Sequence, residues 1–132
     1  MNQPESFAVT LAGSEDISVP TSTAIYTDAY KFGDVEAFAL IYLVACTGTP
    51  DLKIEMEQSR VAPTTENIAD SNFSVPTGSA DIESSLTAKT IKHAPFTPLP
   101  ILYVRFKITE QTDLVSDTVI NVWISMQKKF TQ

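Results

Sequence analysis

Ile101-Leu-Tyr-Val-Arg-Phe-Lys-Ile-Thr109 and Asp117-Thr-Val-Ile-Asn-Val-Trp-Ile-Ser-Met-Gln127 decide the fold. In the first, Leu102, Val104, Phe106 and Ile108 fall on one face and Tyr103, Arg105, Lys107 and Thr109 on the other. That is the period of two that marks a strand with one face in a core. The same grammar of strand and polar turn runs through the rest of the chain, with almost no helical periodicity. The expectation is an all-β chain: a single antiparallel β-sandwich over residues 1–132, jelly-roll-like, with an immunoglobulin-like sandwich as the alternative.

Working outward, Val35–Cys46 is a nearly continuous apolar run, as in a central strand covered on both faces. A buried helix is the rival reading. Leu52, Ile54 and Met56 alternate with Lys53, Glu55 and Glu57 after Thr47-Gly48-Thr49-Pro50, so Val35–Cys46 and Leu52–Ser59 read as a hairpin. The two C-terminal strands read as a second hairpin across Glu110–Ser116. Phe7–Leu11 and Ile17–Val19 read as an opening hairpin or arm within residues 1–20, and Ala24–Tyr26 as a further short strand. Residues 60–80 are rich in Pro, Thr, Asn, Asp and Ser, the texture of a long surface excursion with a brief strand near Asn72–Val75. Asp81–Leu86 reads as one helical turn and Thr87–His93 as a strand. Pro95, Pro98 and Pro100 then force an extended crossing that cannot fully join a ladder. No internal repeat suggests a propeller or solenoid.

A chain of 132 residues with 43% hydrophobic and 19% charged residues can bury a core without staples. Its net charge of −7 opposes binding to phosphates or anionic lipid, so neither nucleic acid nor membrane is an expected partner. The acidic stretch 1–36 and the more basic stretch 101–132 could attract neighbouring copies, but the favoured expectation is that they meet within the monomer or are solvated. Cys46 is the single cysteine, which rules out an intrachain disulfide and fits a small buried hydrophobe. Met1–Ser6 has no basic start or apolar stretch of a secretion signal, so synthesis in the cytoplasm is expected. The formal sequon Asn72-Phe73-Ser74 then carries no meaning.

The chemistry-bearing residues are few. His93 is the single histidine, Ser84 and Ser85 lie in a polar stretch, and no Gly-x-Ser-x-Gly elbow exists. One Cys and one His cannot make the usual zinc set. Asp28, Asp34, Glu36, Asp70, Asp81 and Glu83 could meet to hold calcium or form a glycosidase pair, but nothing in their spacing selects a group, and solvated turn carboxylates account for them better. Four glycines supply no phosphate cradle. No catalytic, cofactor-binding or metal-binding residue is therefore expected. Tyr26, Tyr30, Tyr42, Tyr103 and Trp123 could instead stack on sugar rings, or pack in an interface.

From Val35 to Gln127 the chain runs from a buried strand through a Gly-Thr-Pro-Asp turn, a polar Thr/Asn/Ser tract and a proline-rich passage to Tyr-Val-Arg-Phe-Lys-Ile-Thr and Asp-Thr-Val-Ile-Asn-Val-Trp-Ile-Ser-Met-Gln. This order resembles small β-sandwich proteins encoded near the head genes of tailed bacteriophages. The resemblance implies a non-enzymatic virion component, an auxiliary capsid (decoration or cement) protein that binds the major capsid protein or another virion protein and forms a homo-oligomer. It brings no catalytic residues. Tyr103, Arg105 and Trp123, on the faces opposite Val104 and Val122, are the expected contact face. A carbohydrate-binding module or a tail or fibre component is the alternative.

Overall fold

Alternation decides which side chains of a strand share a face, and partners decide where that face points. The computed structural model describes residues 6–10, 17–20, 23–31, 35–45, 50–87, 91–112 and 118–128, with side chains described at 19–20, 23–31, 50–87, 94–112 and 120. These residues form β1 (Ser6–Thr10), β2 (Ile17–Val19), β3 (Ile25–Tyr26), β4 (Tyr30–Lys31), β5 (Val35–Ala45), β6 (Leu52–Ser59), β7 (Glu83–Leu86), β8 (Ile91–Pro95), β9 (Tyr103–Glu110) and β10 (Thr118–Lys128), and no helix. One sheet has the order β1-β10-β5-β8 with β2 also on β10; the other has β3-β9-β6-β7 with β4 also on β9.

The antiparallel pairings nest. β1 and β2 pair with β10, β3 and β4 with β9, β5 with β8, and β6 with β7. The chain is thus one long antiparallel ribbon, closed at the β6–β7 connection and wrapped so that its two halves face each other. This is the jelly roll, and wrapping adds the long β5–β10 and β6–β9 ladders that hold each sheet together. Between the sheets Val19 and Ile120 from one side meet Leu52, Ile54, Met56, Leu86, Val104, Phe106 and Ile108 from the other. Phe96, from the proline-rich crossing, reaches this core and packs edge-on to Phe106 with centroids 5.1 Å apart.

Several local expectations change. β5 and β6 do not form a hairpin, because they lie in different sheets, and the same holds for β9 and β10. β1 and β2 do not pair with each other; both lie along β10. Asp81–Leu86 is no helical turn: Glu83–Leu86 is an edge strand whose register shifts against β6. The strand near His93 is Ile91–Pro95, an edge position where Pro95 needs no outward donor. The brief strand at Asn72–Val75 reduces to a bridge between Gln58 and Ser74. Residues 11–16, 46–49 (with Cys46), 113–117 and 129–132, on which the expected turns and tail fall, lie outside the described residues.

Candidate functional site

The outward face of the β9 sheet is covered over part of its length. Lys53, Glu55, Lys107 and Thr109 are half-exposed, whereas Glu57, Ser59 and Arg105 are buried. The cover is the β6–β7 connection, whose residues 60–74 fold back over β6, β9 and the β3–β4 segment. At 1% exposure Arg105 is the most deeply buried charge there. Its register partner across the ladder is Glu57, and the Arg105 Nε donates to the Glu57 Oε1 at 2.9 Å. Its Nη1 donates to the Ile68 carbonyl at 2.7 Å. The guanidinium lies between two rings, 4.3 Å from the centroids of both Tyr26 and Phe73. Arginine suits this place because its flat, weakly hydrated cation stacks on aromatic faces while its edge donates. Nη2 is buried and donates to no protein atom among the described residues.

The remaining pins are polar. The Gln58 and Ser74 backbones exchange N–H to O bonds of 2.9 and 3.1 Å, the Asn67 amide donates to the Tyr26 carbonyl, and the Ala29 N–H donates to Glu66. Asn67 takes φ of 64°, a conformation asparagine tolerates. Asp70 folds the segment on itself by accepting from the Asn72 and Thr64 N–H groups. Among residues 60–80 Phe73 is the one buried side chain, while Val61 and Ile68 are about half exposed. Gln58 also ties down the proline-rich crossing, donating to Leu99 and Ile101 carbonyls and accepting the Leu99 N–H.

The Asn72 N–H bond holds the Asp70 carboxyl below its ordinary range; the Thr64 N–H and the Arg105 charge add to this against a desolvation that raises it. A depressed folded pKa makes the turn's contribution complete above the ordinary aspartate value of about 3.9 and lost as pH falls through the folded value. The Thr64 and Asn72 amide resonances are therefore expected to titrate with a midpoint below that value in NMR. A midpoint at or above it would remove Asp70 as the holder of this turn. Burial, then the charges of Asp28 and Glu66, push the Tyr30 phenol above its ordinary value, so it is neutral wherever the protein is folded near neutrality.

The expected contact residues do not share one face. Tyr103 is half-buried at the start of β9, and Arg105 is buried beneath residues 60–74 rather than standing on an open surface. Trp123 is on β10 of the other sheet, paired with Thr10 and Ile41; its side chain lies outside the described residues. Tyr26 and Tyr30 are drawn into packing, one on Arg105 and the other against the core. His93 is paired with Ile41 on the edge strand. Asp28, Asp70, Asp81 and Glu83 are spread over different connections and an edge, and among the described residues no three His, Cys, Asp or Glu side chains are grouped to hold a metal.

A groove of about 360 Å³ opens beside β7 and β8, floored by Met56, Ile82 and Phe96; Asp81 is its one titratable lining residue. A second concavity of about 230 Å³, by Gln58, Ser59 and Val61, has only Arg60. Among the described residues neither brings an acid and a base together. The residue the sequence reading missed is Phe73, the one aromatic of the polar tract 60–80, a side chain whose burial fastens the tract to the body.

No protein-family model and no curated protein sequence matches this chain. Among solved structures, a chain of "Structure of infectious bursal disease virus Gx strain" is similar over 96% of this chain and 32% of its own length, at 13% identity and a TM-score of 0.48. This chain thus spans about a third of that one. At such identity and score the likeness adds nothing to what the strand order of this chain establishes by itself.

Proposed function

We propose that this chain is a structural virion protein, an auxiliary capsid protein of a tailed phage that docks on the assembled shell. The observation that carries the proposal is the nested jelly-roll ribbon, an architecture used by capsid and lectin domains. The strand-sequence resemblance in Val35–Gln127 supports the phage setting. Fold is an analogy rather than a mechanism, so the contact must be argued from the surface. Around the start of β9, Val61, Leu99 and Leu102 are each close to half exposed beside Tyr103, and they form the proposed docking edge. Many copies of such a modest contact on a lattice add through multivalency.

The test is co-sedimentation of the purified chain with shells of the major capsid protein encoded alongside it, with solution mass from light scattering. Saturable binding at a fixed ratio, lost in Leu102→Asp with the fold retained, is the expected result. No binding to shells, together with quenching of Trp123 fluorescence by glycans, would replace this reading with the carbohydrate-binding one.

A further inference from the structure

We infer that residues 60–74 form a strap that unlatches from the sheet as a unit while the sandwich stays folded, with Arg105 as its pin. Three observations carry this. First, the strap is held by a few polar contacts and a single buried side chain, Phe73, whereas the sheet beneath is held by the eight-residue β6–β9 ladder and a core on its other face. A segment with little buried apolar surface has a low opening free energy of its own.

Second, the contacts converge on one group. Arg105 bonds the strap at Ile68, stacks on Phe73, and rests on Tyr26 and Glu57 of the body. Losing this one group frees the strap at Ile68 and Phe73 and leaves it the Asn67 bond to Tyr26, the Ala29 bond to Glu66 and, at its ends, the Ser59–Val61 and Gln58–Ser74 bonds. Third, closure sets a cost against itself. It buries a charged pair and leaves the Nη2 of Arg105 donating to no protein atom among the described residues, whereas opening returns both charges to water. Because the strap is the closed end of the wrapped ribbon, no strand pairing of the two sheets has to break when it lifts; only the Gln58–Ser74 bridge does.

Native-state hydrogen exchange on the full chain tests this. Its reporters are the Ala29, Gln58, Phe73 and Ser74 amides, all bonded across or within the strap, set against the core amides of β6 and β9. The strap amides are expected to share one opening with a smaller denaturant dependence than the core. Glu57→Gln/Arg105→Met, which avoids stranding a charge, is expected to speed them together by at least about tenfold, and the core amides by no more than the same factor, because global unfolding includes the opening of the strap. Phe73→Ala, on the strap itself, gives a second variant with the same expected pattern. Strap and core amides exchanging with one common denaturant dependence, or Phe106→Ala on the core face speeding the strap amides as much as the core amides, would overturn the inference.

Discussion

Arg105→Ala is expected to lower the unfolding free energy by about 3–5 kcal/mol, the range for breaking one side of a buried ion pair. The side chain is 1% exposed, and its removal leaves the buried Glu57 carboxylate without its 2.9 Å partner and the Ile68 carbonyl without its donor. Two aromatic stacking partners are lost as well, at about 0.5–2 kcal/mol each when desolvated. Lysine keeps the charge but cannot stack flat between two rings while donating to both Glu57 and Ile68, so Arg105→Lys is expected to recover only part of the loss. The uncompensated carboxylate is the larger part of the effect. Urea denaturation of Arg105→Met with and without Glu57→Gln isolates it: the double variant is expected to be the more stable. Equal midpoints would show that the lost packing, and not the stranded charge, dominates.

That Arg105 carries so much was not legible in the sequence, and the reason is physical. Its parity places it opposite Val104 and Phe106, and an arginine on that parity ordinarily stands in water. Burial comes from residues 60–74, more than thirty positions earlier in the chain, folding over it. The strand segments themselves were legible, because period two is written locally: Leu52, Ile54 and Met56, like Val104, Phe106 and Ile108, all face the core as their spacing requires. Partners were not legible. Turn-forming residue types such as those at positions 47–50 are equally compatible with a reversal within a sheet or between two sheets, so neighbours in sequence read as neighbours in space. The nested ribbon instead pairs the chain's first strands with its last. Glu83–Leu86 misread as helix because Ile82 and Leu86 stand four apart, a spacing that a bulged edge strand can also place against the core.

One pleat along the strand, Phe106→Ala is expected to cost about 3–5 kcal/mol through a different mechanism, the loss of transfer free energy plus a cavity that the two sheets cannot both close upon. Phe106 is fully buried and lies opposite Met56 in the ladder. Its ring meets Phe96 edge-on, and its backbone bonds Thr27 in both directions where β3 gives way to β4. Phe96 is only partly buried, so Phe96→Ala is expected to cost less than Phe106→Ala even though both lose the same ring pair. Urea midpoints with unchanged slopes measure this order, and a Phe106→Ala loss below about 1 kcal/mol would mean that the sheets do not close on this ring. The two neighbouring positions also separate in hydrogen exchange. Loss at 106 removes a contact shared by both layers and speeds the core amides without changing the opening of residues 60–74, whereas neutral replacement of the pair at 57 and 105 lowers the opening free energy of residues 60–74. Adjacent residues on one strand thus control different units of the fold, because the pleat sends one side chain into the core and the next beneath the strap.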